Sequence, residues 1–391
     1  MKIKKLEFFF IKNKNKKKSN FPRPSFFQSG IYVIKLVDFY GNHGLGEPSP
    51  YCGSPQEVRL ILKKIFVFIY LQKIENIDLN LIHKNLLKIN KNSFCLSSCL
   101  AAISQCILDL KGKYKENNSA LVLNPNLKKN EIKIYASGGM LYEDQSTKFL
   151  IEEALKYKSY NYFGYKFRPL YSHNFQSHQN RFKKPPPIDI YKTIEIAKNL
   201  RKEVGNTFHL MIDLGCRCKN LREAKYIIDA LSDLNFYFIE EPFQRKINNY
   251  KKIKNRKLRN IAAGEHIYKH EDFFKWADNN LIDFVQLDTN SLDLVFIKNA
   301  FNFLKKIKIK FVPHNWTNLI NTAATVNLLR SIEEDHIMEL NIFENYFHQL
   351  FRNNFFKINN GSSIFFKSHG LGVFFIEKNL KYFDYLRKEI Q

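Results

Sequence analysis

Apolar and polar positions fall into two textures along the chain. Up to about residue 130, runs rich in β-branched and aromatic residues at 3–11 and 31–38 predict strands, and helical patterns follow them. Ser54-Pro55-Gln56-Glu57 is a capping box with Pro at the first helical position. The helix it opens carries Val58, Ile61, Leu62, Ile65 and Ile69 on one side. A second helix runs through Leu100, Ile103, Ile107 and Leu110 and is expected to stop near Gly112. Residues 1–130 therefore read as an α+β unit.

Beyond residue 130, short apolar runs alternate with helical stretches, and each run ends in a polar residue: Lys166/Arg168, Asp213, Glu240, Glu265, Asp288, His314 and Glu339. From Asp213 onward their separations are 27, 25, 23, 26 and 25 residues. That is the length of one strand plus one helix, and a chain of such units closes into a (β/α) barrel. The barrel is placed at 131–345, leaving 346–391 as a C-terminal segment. The wider gap between Lys166 and Asp213 holds Pro185-Pro186-Pro187, read as an insertion over the barrel mouth. In such barrels the site forms at the C-terminal ends of the strands, which is where these polar residues fall.

Composition adjusts this picture in three places. The 391 residues carry 62 Lys and Arg against 37 Asp and Glu, a net charge of +25 that invites a polyanion partner. Only 13 of the basic residues are Arg and the charges are scattered, so nucleic acid is not expected as a partner. The longest unbroken apolar run, 65–71, is too short to cross a bilayer, so no membrane span is expected. The N-terminus reads as a strand followed by a lysine-rich loop, with no signal-peptide pattern. Of six cysteines, Cys95, Cys99 and Cys106 fall at helical spacing as core thiols, and Cys216 and Cys218 alternate as at a strand end. Reduced thiols in a cytoplasmic protein are expected.

Asp213, Glu240 and Glu265 end successive predicted strands at 208–213, 236–240 and 261–265. Three converging carboxylates make a hard oxygen site suited to Mg²⁺. Asp288 and His314 form a carboxylate–imidazole pair suited to general-base work. Lys166 and Arg168, at i and i+2 of one strand, share a face and suit a grip on a substrate carboxylate. Together they point to proton abstraction α to a carboxylate, with the developing charge held by Mg²⁺.

The segments Gly164-Tyr165-Lys166-Phe167-Arg168, Met211-Ile212-Asp213, Ile239-Glu240-Glu241-Pro242, Ala262-Ala263-Gly264-Glu265, Val285-Gln286-Leu287-Asp288, Pro313-His314-Asn315-Trp316 and Met338-Glu339 resemble the ordered motifs of the enolase superfamily, mandelate racemase subgroup. Gly41-Asn42-His43-Gly44-Leu45-Gly46-Glu47 and Gly370-Leu371-Gly372 resemble its N-terminal turn and tail motif. The resemblance covers nearly the whole chain. It implies an α/β fold, a modified TIM barrel (β/α)₇β under an α+β capping domain built from the N-terminal part and the C-terminal segment. It also implies a loop at 20–29 that shields the substrate, and a symmetric homo-oligomer. By the same resemblance Asp213, Glu240 and Glu265 match the Mg²⁺ ligands, Asp288 and His314 the dyad, and Glu339 the acid that hydrogen-bonds the substrate carboxylate.

Four positions depart from the family pattern. Arg168 stands where many relatives have a second Lys base, Gly215 where Asn follows the first metal ligand, and His369 where Pro precedes the tail Gly; the Gly-Gly pair after the dyad Asp is absent from 290–294. Arg is a poor proton acceptor, so a two-base racemase is disfavoured unless Lys166 substitutes. The expected activity is a Mg²⁺-dependent acid-sugar dehydratase, a lyase acting on an aldonate or aldarate to give a 2-keto-3-deoxy acid. The alternatives are a racemase or epimerase of a 2-hydroxy acid, and a decayed barrel with a binding or structural role.

Overall fold

The computed structural model describes residues 1–14, 30–90, 93–127, 131–139, 147–169, 188–254, 260–278, 281–332, 334–343 and 345–390. The predicted shielding loop at 20–29 and the Pro185-Pro186-Pro187 insertion lie outside the described residues.

The N-terminal lobe begins with β1 (Ile3–Asn13), β2 (Ile31–Asp38) and β3 (His43–Gly46), which form an antiparallel meander. Helices α1 (Pro55–Ile69), α2 (Leu79–Leu87), α3 (Ser93–Tyr114) and the short α4 (Ser119–Leu123) follow. The predicted capping box is formed in both directions: Glu57 N donates to Ser54 Oγ at 3.3 Å, and Ser54 N donates to Glu57 Oε2 at 2.8 Å. The i, i+3, i+4 residues of α1 that the sequence placed on one face are buried with Leu6, Phe8, Ile34 and Leu36 of the sheet.

Helix α3 ends at Tyr114, two residues beyond Gly112, which therefore does not itself terminate it. The glycine serves close approach instead, since a Cβ at 112 would sit 2.6 Å from the Cα of Gly370. By length and composition α3 could cross a membrane, although Ser and Gln keep it from forming an unbroken apolar run. Its position explains the composition: it is buried nearly all round, between the lobe's sheet and the barrel. Cys95, Cys99 and Cys106 are core thiols on it, and all six cysteines are free.

Among the described residues eight strands and seven helices then alternate: β4 (Glu131–Ser137), α5 (Thr147–Ser159), β5 (Gly164–Phe167), α6 (Ile190–Val204), β6 (His209–Asp213), α7 (Leu221–Ser232), β7 (Phe236–Glu240), α8 (Ile247–Lys254), β8 (Ile261–Ala263), α9 (His270–Asp278), β9 (Phe284–Val285), α10 (Leu294–Lys306), β10 (Lys310–Phe311), α11 (Leu319–Ser331) and β11 (Ile337–Asn341). The strands pair in parallel from β4 through β10, and β11 returns to β4, giving the (β/α)₇β barrel. Tyr135, Met211, Phe238, Ala262, Phe284, Val312 and Ile337 point inward and pack as one apolar cluster. This plug closes the interior and leaves the C-terminal strand ends as the open face.

The tail has two tasks. Strands β12 (Phe351–Asn353), β13 (Phe356–Asn359), β14 (Ser362–Phe365) and β15 (Val373–Phe375) precede β16 (Phe383–Ile390). The β13–β14 hairpin adds antiparallel to β4 of the barrel, whereas β16 pairs with β1 over eight residues.

Candidate active site

Inward-facing positions recur every second residue of a strand, so the layer above the plug takes its residues two positions further along. Lys166 follows Gly164 on β5 with Arg168 one residue past that strand, Asp213 follows Met211 on β6, and Glu240 follows Phe238 on β7. Glu265 lies two residues past β8. Asp288 and His314 lie beyond β9 and β10 but face each other through a parallel bridge that extends the strand register. Glu339 sits in the middle of β11.

Within this layer the charges pair. Lys166 Nζ lies 2.6 Å from Glu240 Oε2 and 2.6 Å from Glu339 Oε1, with all three side chains buried. Burial works against the ammonium, but Glu240 and then Glu339 outweigh it and raise its pKa. Arg168 Nη1 meets Asp213 Oδ2 at 2.5 Å, and its guanidinium stacks 4.7 Å over the Trp316 ring. His314 Nδ1 is 2.5 Å from Asp288 Oδ2, and its Nε2 is 3.2 Å from Glu265 Oε2. Burial opposes protonation of His314, yet Glu265 and the hydrogen bond to Asp288 push it up to about 10. Glu339 is fully engaged: Ser137 Oγ donates to Oε1 at 2.6 Å and Asn315 N donates to Oε2 at 3.1 Å.

Two departures from the family pattern have a local account. Gly215 adopts φ +55° and donates its N–H to Asp213 Oδ1 at 2.7 Å. That left-handed conformation is open to Gly and, among other residues, most readily to Asn, so the exchange preserves the turn. Where the Gly-Gly pair is missing, Asn290 N donates to Asp288 Oδ1 at 2.9 Å and Ser98 Oγ of α3 donates to Asn290 O at 2.7 Å, so the lobe secures this loop.

The structure adds residues that the motif reading passed over. Glu241 is buried with φ +42°, an uncommon conformation for a residue with a Cβ. Arg245, four residues further along the same non-helical segment, donates Nε to Glu241 Oε1 at 2.6 Å and Nη2 to Glu265 Oε1 at 2.7 Å. His266 Nε2 is 2.8 Å from the same Glu265 oxygen. Among the described residues, Glu241, Glu265 and His266 are the group whose ligand atoms all lie within 4.8 Å of one another. The segment 241–246 is not helical, so no helical spacing in the sequence signalled this outer cluster. Gln286 is fully buried one strand position before the dyad loop, and neither of its amide atoms has a hydrogen-bond partner.

The carboxylates of Asp213, Glu240 and Glu265 offer oxygen alone, the donor type Mg²⁺ takes. Glu240 Oε1 is buried with no hydrogen-bond partner. Burial, against the pull of Lys166, pushes Glu240 up to about 8, and Asp213, Glu339 and Glu265 add to the shift. A further cation beside it would relieve that excess of negative charge, so the donor chemistry suits the ion; among the described residues, however, the three predicted ligands are not a set whose ligand atoms all lie within 4.8 Å of one another, Asp213 being held by Arg168 and Glu240 by Lys166.

A family model described as enolase C-terminal domain-like matches residues 150–378. The D-gluconate/D-galactonate dehydratase of Picrophilus torridus is 28% identical over 373 residues, covering 90% of this chain and 87% of that protein. An enolase from the environmental genome shotgun sequencing of the Sargasso Sea superposes with a TM-score of 0.83 at 21% identity, covering 100% of this chain and 98% of that one. A racemase from Streptomyces coelicolor A3(2) with bound magnesium superposes with a TM-score of 0.78 at 15% identity, covering 97% and 99%. The two structural likenesses show the fold.

Proposed function

The chain belongs to the enolase superfamily, and from that premise we propose that it is an acid-sugar dehydratase that removes the α-proton of an aldonate or aldarate and expels the β-hydroxyl. The observation that carries this reading is the Asp288–His314 pair, 2.5 Å apart at the strand ends and facing the buried carboxylate layer. Asp213, Glu240 and Glu265 would hold Mg²⁺. When bound, the ion supplies positive charge to the substrate carboxylate and so acidifies the adjacent C–H.

The Glu265 charge that favours the protonated ring would be offset by the ion, and the neutral His314 then takes the proton from C2, with Asp288 fixing the ring and stabilising the imidazolium. Arg168 faces the charge that develops on the carboxylate. The same imidazolium then gives its proton to the β-hydroxyl, which leaves C3 as water. The resulting enol takes a proton at C3, loses its hydroxyl proton and becomes the 2-keto-3-deoxy acid. Lys166 sits between two carboxylates rather than free beside the substrate's second face, which favours dehydration over two-base racemisation.

The Picrophilus torridus relative makes D-gluconate and D-galactonate the first substrates to try. Incubation with Mg²⁺ and assay of 2-keto acid as the semicarbazone is expected to show product with at least one acid sugar. Racemisation of a 2-hydroxy acid without loss of water would overturn the reading and move Lys166 to the role of second base.

A further inference from the structure

Helix α11 begins at a residue that does not cap it: Asn318 occupies the N-cap position, but its side chain accepts no hydrogen bond from the first turn. The missing acceptor comes from the other lobe. Glu47, at the end of β3, accepts Asn318 N at 2.9 Å and Asn318 Nδ2 at 3.0 Å on Oε1, and Asn321 N at 3.2 Å on Oε2. These are the free N–H groups that a helix start must satisfy. Glu47 is itself tied back, its N–H donating to Oε1 of Gln105 on α3 at 2.8 Å.

The other end of Gln105 reaches the barrel, where Nε2 donates to Thr289 O at 2.9 Å and to Asn321 Oδ1 at 3.1 Å. Thr289 Oγ1 donates to the same Asn321 oxygen at 2.6 Å. Two donors on Oδ1 settle the amide orientation, because the NH₂ must then face the other way. It faces the dyad: Asn321 Nδ2 donates to Asp288 Oδ1 at 3.2 Å, opposite the oxygen that holds His314. Glu47, Gln105 and Asn321 are all buried.

We propose that Glu47 and Gln105 of the N-terminal lobe are positioning residues for the Asp288–His314 dyad, acting through the first turn of α11 and the Asn321 amide. The lobe is then part of the support of the base as well as a cover for the substrate, and the dyad keeps its geometry only while the two lobes are docked. The inference rests on His314 being the base, but its geometric content does not, which allows the two to be tested apart.

The probe is the His314 Nδ1–H proton in the full chain with ¹⁵N-labelled histidine, assigned by its absence in His314→Asn. A short hydrogen bond to Asp288 places this proton far downfield. Glu47→Gln puts an NH₂ against one of the N–H groups now satisfied, and Gln105→Leu removes both donations at similar volume. In each variant the signal is expected to move upfield or be lost, with kcat down about 10- to 100-fold and KM and Mg²⁺ affinity unchanged. An unchanged signal and kcat in a folded variant would overturn the proposal, as would the absence of the signal in the unsubstituted chain. Should Glu47→Gln fail to fold, Gln105→Leu and Asn321→Ser decide by the same signal. If the signal responds as expected but no acid sugar is dehydrated, the functional reading fails and the positioning network stands.

Discussion

The barrel interior holds two neighbouring layers built by the same strands and opposite in character. Met211 and Asp213 are two residues apart on β6, and Phe238 and Glu240 two apart on β7; the first of each pair packs in an apolar plug and the second carries charge. Both layers are nearly dry, so the difference is one of energetics rather than exposure. In the plug each side chain gains from leaving water. In the layer above, each charge loses hydration and recovers part of it from an oppositely charged neighbour, an arrangement that serves chemistry more than stability. The fold stores its stability directly beneath its reactivity.

If that division is right, substitution in the upper layer should cost activity and spare the fold. The largest effect is expected for His314→Asn. Exchange of the substrate α-proton with deuterated solvent should fall by about 100- to 10,000-fold, with thermal unfolding little changed. Retained exchange, followed by NMR, would hand the base role to Lys166.

One layer down the outcome should invert. Phe238→Ala leaves a cavity among Tyr135, Phe284 and Tyr237 and is expected to cost about 3–5 kcal/mol of stability. Denaturant titration reads that loss, and kcat per folded molecule at low temperature should stay near the parent value. A large drop in kcat for the folded fraction would show that the plug also shapes the site.

The two layers were unequally legible in the sequence. The reactive one announced itself, because a strand-plus-helix repeat of 23 to 27 residues brought polar residues to one end of each strand. Pairing within the layer was hidden, since Lys166 could as well have faced the substrate as bridged Glu240 and Glu339. Contacts between distant segments were hidden for a stronger reason: nothing at Glu47 or Asn318 signals that one caps the other's helix. For the tail, the resemblance implied only that 346–391 joins the capping domain; neither the pairing of β16 with β1 nor the hairpin on β4 has a counterpart in the motif pattern. The local signals that did carry through were covalent in reach, such as the Ser54–Glu57 capping box and the helical spacing of the cysteines.

A smaller effect tests whether the outer cluster belongs with the reactive layer or with the scaffold. Arg245 bridges Glu241 and Glu265 and is about a third exposed, at 35%. Arg245→Met leaves the buried Glu241 carboxylate without its cation and is expected to cost about 1–3 kcal/mol, discounted from a fully buried pair for that exposure. Arg245→Lys should recover little, because a single ammonium cannot span both carboxylates as the fork does. Equal melting temperatures for parent and Arg245→Met would place the cluster outside the stability of the fold.

The smallest effect asks whether sensitivity to acid is confined to the charged layer. His43 on β3 lies in the lobe, where burial first, and then Lys113 and Lys35, push its pKa down to about 4. In the unfolded chain the same ring takes a proton near its ordinary value of about 6.5. Between those values the unfolded state binds a proton that the folded state refuses, so stability is present in full above about 6.5 and is lost as pH falls toward about 4. His43→Gln removes the titration and should flatten this part of the curve by about 1–2 kcal/mol, a figure reduced for the ring's partial exposure. The comparison is made between parent and variant, which cancels every group common to the two chains. Urea unfolding at pH 7.0 and at pH 4.5 for both chains measures it: a loss on acidification that is the same in the two would leave the acid response with the charged layer alone.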